Sequence, residues 1–200
     1  LDGESLSDRP IAAKIAGEVF NLNYVPVRVT ELSPDRPSIR RAMEASKGEI
    51  HLLYYRDPCG KDVYSRTAQF VLFLALSNKY PHISAKMGST VGPALMIQLS
   101  DTESFDLSGL KMEMQRIVRE NIPLIRRRVS TQAAIRRFEA AGKTDKARLL
   151  RYRTADFFDE YAYGDFADYH YGELAPSTGF LQVWDILPAE GGFFFLYPED

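Results

Sequence analysis

Hydrophobic positions recur along this 200-residue chain with the two spacings that distinguish helices from strands. A dense apolar stretch over 65–79 and a one-sided apolar stripe over 106–121 predict two α-helices. Ser130 is a suitable N-cap for a third helix that ends near residue 141. A shorter fourth helix is expected over 145–152.

Short runs of alternating or aromatic apolar residues predict β-strands between these helices. The runs lie at 10–30 (with a turn at Gly17), 49–55, 83–87, 94–99, 124–129, 180–187 and 192–197. Residues 33–37 are expected to form a loop, 39–45 one or two helical turns, and 57–60 a turn. The pattern predicts an α+β fold with a mostly antiparallel sheet packed with helices.

Composition places the chain among ordinary globular proteins. Its 45% apolar residues are enough for a core, and 26% are charged. The longest apolar run, 70–76, is too short to span a bilayer, so no membrane partner is expected. The single cysteine, Cys59, cannot form an internal disulfide and favours a cytoplasmic protein. Because the chain starts at Leu1 rather than Met, it is predicted to be part of a longer protein.

Charge is strongly segregated in the second half of the chain. Residues 110–153 contain thirteen basic and four acidic residues, whereas 154–200 contain ten acidic and no basic residues. The two segments either neutralise each other across the fold or leave a basic face for phosphate or nucleic acid. The triplet Arg126–Arg128 presents the same alternatives, with a solvated or ion-paired surface favoured over a phosphate clamp.

The sequence lacks the common signatures of nucleotide and metal binding. Gly142-Lys143-Thr144 imitates the end of a phosphate-binding loop, but Arg137 stands where that motif needs its first glycine. Gly60-Lys61 is followed by Asp62 rather than Ser or Thr. The three histidines are scattered, so no metal site is predicted; they are His51, His82 and His170.

The segment 161–179 combines tyrosines, acids and turn residues. Gly164-Asp165 and Pro176-Ser-Thr-Gly179 are turn sequences, which should place the polar groups on loops between strands. Tyr and His offer an apolar body with a polar tip, so they can line a pocket and still form hydrogen bonds. The segment is typical either of a site or of a Tyr-rich antiparallel core with solvated acids.

Longer stretches of the chain resemble known families. Tyr64-Ser-Arg-Thr-Ala-Gln-Phe-Val-Leu-Phe-Leu-Ala-Leu76, followed by Lys79-Tyr-Pro81, resembles the helix that opens the second additional domain of threonyl-tRNA synthetase. The runs 127–138, 145–150 and 171–180 resemble more closely the bacterial uridine kinase-like family. In that family a synthetase-like N-terminal region precedes a kinase of the phosphoribulokinase/uridine kinase type.

This resemblance implies a domain order and a set of partners. Residues 1–60 would be a partial TGS-like, β-rich segment and 61–200 a second-additional-domain-like module, with a kinase domain beyond residue 200. ATP and magnesium are expected for that kinase domain and no cofactor for this fragment. The implied partners are its own C-terminal kinase domain and a nucleoside or small polar ligand; the sequence leaves the oligomeric state open.

The resemblance also locates the residues that the synthetase uses to edit mischarged tRNA. Its two histidines on the opening helix align with Arg66 and Phe70, and its Cys and His on the later loop align with His170 and Leu174. Phe70 and Leu174 can neither bind a metal nor move a proton, and Arg66 stays charged. No catalytic residue is therefore predicted.

A polar cleft without hydrolysis remains as the predicted site. It would take a zwitterionic or nucleoside-like ligand or hold an internal salt bridge, and its candidate residues are Arg66, Asp165, Asp168, Tyr169, His170, Tyr171, Ser177 and Thr178. The predicted function is a non-catalytic accessory module of a nucleoside kinase, acting in ligand sensing or assembly. The alternatives are an aminoacyl-tRNA editing-type hydrolase and an RNA-binding module that uses 110–153.

Overall fold

The computed structural model describes residues 8–23, 49–140, 142, 144–152 and 155–198. The chain divides into two units, the first made of Leu1–Leu124 with Gly172–Asp200 and the second of Ile125–Tyr171. Each unit is described by itself. The predicted domain boundary at residue 60 falls inside the first unit and stays a prediction.

A small antiparallel sheet starts the first unit. Its strands are β1 (Ala12–Ile15), β2 (Glu18–Phe20) and β3 (His51–Leu53), in the order β2-β1-β3. Ala16 and Gly17 form the β1–β2 turn with positive φ, which confirms the predicted turn at Gly17. The predicted strand over 25–29, the loop at 33–37 and the helical turns at 39–45 lie outside the described residues.

The long helix α1 (Pro58–Lys79) begins seven residues before the predicted start. The sequence prediction of a turn at 57–60 is wrong, because Asp57 is the N-cap and Pro58 occupies the first helical turn, where its missing N–H costs nothing. Gly60 is required there, since a Cβ would lie 1.9 Å from the Tyr54 carbonyl oxygen. The helix ends at Tyr80, before Pro81, as predicted.

Helix α2 (Leu107–Glu120) matches the predicted amphipathic segment. Asp106 caps its N-terminus by accepting hydrogen bonds from the backbone N–H groups of Ser108 and Gly109. Asn121 ends it in the left-handed conformation, with φ of 51°. The apolar stripe is buried, as the sequence predicts; it comprises Leu110, Met114 and Ile117.

A four-stranded antiparallel sheet completes the first unit. The strands β4 (Ala85–Val91), β5 (Ala94–Leu99), β9 (Asp185–Ala189) and β10 (Gly192–Leu196) lie in the order β4-β5-β10-β9. One face is buried and bears Leu95, Ile97, Ile186, Phe193 and Phe195. The strand predicted from residue 180 begins only at 185, because the Thr178–Phe180 segment forms a 3-10 helix.

The second unit is a three-stranded sheet with a helical hairpin. Strands β6 (Arg126–Ser130), β7 (Phe157–Tyr163) and β8 (Phe166–Asp168) pair antiparallel in that order. Helices α3 (Thr131–Ala140) and α4 (Thr144–Arg151) connect β6 to β7. Their core consists of Ala134, Phe138, Ala147, Leu150 and Phe158.

The structure confirms the α+β class with antiparallel sheets, and its described residues form four α-helices. Helix α3 begins where the N-cap predicts, because the Ser130 hydroxyl accepts a hydrogen bond from Ala133 N–H at 3.1 Å. In the part of the chain that the structure covers, no helix has the length and apolar character to cross a membrane.

Candidate functional site

The eight predicted cleft residues are divided between the two units. Arg66, Ser177 and Thr178 belong to the first unit. The other five belong to the second unit. Asp165 lies in the turn before strand β8 and Asp168 at its end, and the residues that follow are Tyr169, His170 and Tyr171.

Ser177 and Thr178 are engaged in hydrogen bonds that fasten the chain after α2. The fully buried Thr178 hydroxyl donates to the Ile117 carbonyl at 2.7 Å and accepts from Ile122 N–H at 2.9 Å. The Ser177 hydroxyl donates to the Asn121 side-chain oxygen. The Thr178 contacts satisfy backbone groups at the end of a helix, and the Ser177 contact holds the side chain of the helix-ending Asn121, so both hydroxyls have a structural role.

Arg66 is also held by backbone. Its Nε donates to the Glu173 carbonyl at 3.1 Å, and the hydroxyl of the next residue, Thr67, accepts from Ala175 N–H at 2.8 Å. Gly172, with φ of +116°, leaves only enough room for the Arg66 guanidinium, because a Cβ would lie 3.0 Å from Arg66 Cζ. The arginine therefore helps to position the 172–175 segment against α1.

Phe70 and Leu174, which stand where the resemblance implies two editing-site histidines, are core residues. Phe70 and Leu174 are both fully buried. Each is an apolar side chain packed in the interior, where no substrate atom can reach it. Among the described residues no group of three His, Cys, Asp or Glu side chains is placed to hold a metal ion.

The tyrosines of the second unit form a chain of ring contacts. Tyr169 packs edge-on against Phe158 and against Tyr171, with centroid distances of 5.5 Å and 4.8 Å. The Tyr161 ring lies 6.5 Å from the His170 ring. Tyr161 is buried but Tyr171 is 80% exposed. The aromatic residues of this segment are therefore partly buried in the core and partly exposed at the surface.

Oppositely charged side chains of β6, β7 and α3 neutralise each other within the second unit. On one face of the sheet, Arg126 Nη2 lies 2.6 Å and Arg128 Nε 3.0 Å from the carboxylate of Asp159. On the other face, Arg127 Nη2 lies 2.8 Å from Glu160, which also accepts hydrogen bonds from Arg137. The alternation follows from the strand period of two.

The pairing confirms that the Arg126–Arg128 triplet is an ion-paired surface. Glu160 is only 1% exposed, so its charge requires both arginines. Its hydrogen bonds also raise the pKa of the Arg137 guanidinium above its ordinary value, despite partial burial. Sequence analysis missed strands β7 and β8, because the acids that meet these arginines interrupt the apolar alternation of β7.

The helical hairpin also carries side chains that are exposed to solvent. Helix α4 buries Ala147 and Leu150, and its opposite side presents Arg148, Leu149 and Tyr152. Leu149 is 69% and Tyr152 81% exposed. Tyr152 comes four residues after Arg148 and directly follows the helix, in a turn closed by its N–H, which donates to the Leu149 carbonyl at 3.3 Å. We call these three residues the α4 face.

The second unit is basic as a whole. Residues 125–171 contain ten Lys and Arg against seven Asp and Glu, a net charge of +3, although the entire chain carries −2. The sequence pattern indicated the basic segment but did not separate paired arginines from exposed ones. That separation depends on the strand register of β6 and β7.

Comparison with known proteins identifies the broader class. No family model matches the chain. It is 28% identical over 193 residues to the threonine–tRNA ligase of Listeria welshimeri, covering 94% of this chain and 27% of that protein. The threonine–tRNA ligase of Carboxydothermus hydrogenoformans is 28% identical over 153 residues, with 74% and 24% covered. That of Clostridium kluyveri is 25% identical over 193 residues, with 94% and 28% covered.

The chain is thus similar to aminoacyl-tRNA synthetases. More particularly, it is similar to threonine–tRNA ligases and spans about a quarter of the length of the curated relatives it matches. The prediction of a uridine kinase or nucleoside kinase is contradicted, because these relatives are threonine–tRNA ligases. The expected ATP and magnesium belonged to that kinase domain, so they have no part in the function proposed below.

Proposed function

We propose that this module binds tRNA without deacylating mischarged tRNA, and that the α4 face is its principal contact. The observation that carries the proposal is the exposure of a cation, an aromatic ring and an aliphatic side chain together on one side of α4. The relatives indicate the class of partner, since each is a threonine–tRNA ligase.

The charge distribution supports this choice of partner. Phosphate contacts provide most of the affinity of proteins for nucleic acid, and they need exposed cations rather than arginines already paired with carboxylates. Arg126, Arg128 and Arg137 are engaged by Asp159 and Glu160. Arg136 on α3 and Arg148 on α4 are exposed to solvent.

The aromatic component favours RNA over a simple polyanion. Tyr152 is the most exposed of the large hydrophobic side chains in the described structure. Unpaired bases stack on such rings, and an arginine beside the ring can hold the adjoining phosphate. The spacing of Arg148 and Tyr152 fits this pair of contacts.

An editing-type hydrolase is less well supported by the same geometry. Two of the four positions that would carry that chemistry are the buried apolar residues Phe70 and Leu174. A third, Arg66, donates to the Glu173 carbonyl. Deacylation of Ser-tRNA therefore serves as the measurement that separates the two functions, with no turnover above the uncatalysed rate expected.

Replacing Arg148 or Tyr152 with alanine is expected to weaken tRNA binding by about fivefold to tenfold, because each change removes one phosphate or stacking contact. The measurement is fluorescence anisotropy of a labelled tRNA transcript over a series of salt concentrations. The Arg148→Ala variant should also lower the salt slope by about one, as expected for one lost phosphate contact.

Arg119→Ala provides the matched control, because Arg119 is an exposed arginine on α2 in the first unit. It changes the net charge equally and should leave the affinity within about twofold of the unmodified chain. Equal weakening by Arg119→Ala and Arg148→Ala would contradict a located contact. Binding that does not depend on salt would contradict the electrostatic basis of the proposal.

A further inference from the structure

The four-stranded sheet has a second apolar face, on the side opposite its buried face. Strand register places Met96, Phe194 and Leu187 in one row across β5, β10 and β9, and Gly88 of β4 extends the row beside Met96. Leu187 is 46% exposed, and Met96 and Phe194 are half-buried. We call this surface the outer sheet face.

Of the rows on either side of this central row, one is mainly apolar and the other is mixed. One contains Val91, Ala94 and Leu196 and ends at Asp185, which is ion-paired with Lys111. The other contains Lys86, Gln98, Gly192 and Ala189. Antiparallel sheets with one solvated face normally alternate apolar and polar residues, so the apolar central row, bordered by Val91, Ala94 and Leu196, is a candidate contact surface.

We propose that the outer sheet face binds the same face of a second copy of this chain, forming a two-fold symmetric dimer. Two such faces stack with their strands nearly aligned, as in a β-sandwich. If the symmetry axis runs parallel to the strands, β4 of one copy lies over β9 of the other. Each residue of one copy then faces the residue of the other copy that occupies the mirrored position in the same row.

The central row is complementary to itself under this operation. The exposed Leu187 of one copy meets Gly88 of the other, where the missing side chain leaves space for it. Phe194 of one copy meets Met96 of the other, a pairing of aromatic ring and thioether that is favourable in protein cores. The β5–β10 and β9–β10 ladders fix the positions of Met96, Phe194 and Leu187, and Gly88 lies beside Met96 at the irregularity in the β4–β5 ladder.

Charge also fits a second copy. The row that contains Gln98 and Gly192 begins at the exposed Lys86 and ends at Ala189. The exposed Glu190 directly follows Ala189. The two-fold operation brings Lys86 of each copy to Glu190 of its partner, which gives two opposite-charge contacts at the rims. Complementary charges of this kind fix the register of an interface.

The test is sedimentation equilibrium of the unmodified chain and of four variants. The unmodified chain should form dimers at micromolar concentration, and Leu187→Glu should shift dissociation at least tenfold towards monomer. Met112→Glu is the matched control, because Met112 is 59% exposed on α2 and lies outside this face. Circular dichroism checks that every variant remains folded.

The contact between Lys86 and Glu190 of the partner copy provides a second, independent test of the dimer. Lys86→Glu alone should weaken the dimer, and the Lys86→Glu/Glu190→Lys double variant should recover most of the lost affinity. A monomer at all concentrations overturns the proposal. A dimer that is insensitive to Leu187→Glu, or equally sensitive to Met112→Glu, overturns it as well, and absence of recovery in the double variant overturns the proposed symmetry.

Discussion

Replacing Arg137 with methionine should lower the free energy of unfolding of the second unit by about 3 kcal/mol, the low end of the cost of breaking a buried ion pair. The cost arises at Glu160, which is 1% exposed and would keep only Arg127 as a cationic partner. Methionine retains much of the aliphatic length of the arginine. The loss therefore reports on the charge rather than on the packing.

Hydrogen exchange of the β6 and β7 backbone amides in the full chain measures this effect, because it isolates the second unit from the first. Arg136→Met is the control, since Arg136 precedes Arg137 on the same helix but is exposed. Its effect should stay within about 0.5 kcal/mol, as for most surface substitutions. Equal protection factors in the two variants would show that Glu160 does not depend on Arg137.

Replacing Thr178 with valine should destabilise the first unit by about 2–4 kcal/mol, because each buried polar group left unsatisfied costs about 1–3 kcal/mol. Valine has nearly the same shape but loses the hydroxyl. The Ile117 carbonyl then loses its donor, and Ile122 N–H loses its acceptor. Both losses occur at a fully buried position.

Thr178→Ser is the matched variant, because it keeps the hydroxyl and removes only a methyl group, at a cost of about 1 kcal/mol. Denaturation followed by the fluorescence of Trp184, which lies in the first unit, provides the measurement. The structural role of Thr178 requires valine to be the more harmful substitution. If serine proves equally or more harmful, the methyl group rather than the hydroxyl supports the fold.

The elements with clear periodicity could be predicted from sequence. Helix α2 lies within one residue of its predicted ends, because its apolar stripe, its Asp106 cap and the left-handed Asn121 all favour the same boundaries. Helix α1 was predicted too short. Asp57-Pro58-Cys59-Gly60 is compatible with both a turn and a helix start, and the close approach of Gly60 to the Tyr54 carbonyl depends on how the chain bends between them, which the residue types do not reveal.

The candidate site was harder to predict, because charges in sequence do not reveal their partners. The basic excess of 110–153 was visible, but Asp159 and Glu160 meet β6 only through the register of a hairpin that the pattern did not predict. The α4 face could be recognised only once α3 and α4 were known to bury Ala134, Phe138, Ala147 and Leu150. Its exposed tyrosine then became distinguishable from the buried aromatic residues nearby.

The most direct test of tRNA binding by α4 is ultraviolet crosslinking of the unmodified chain to a tRNA transcript, with the crosslinked residues identified by mass spectrometry. Adducts are expected at Tyr152 and in the neighbouring residues of α4, and they should be lost at high salt as phosphate contacts weaken. Crosslinks confined to the first unit, or crosslinks at Tyr152 that persist unchanged at high salt, would contradict tRNA binding by α4.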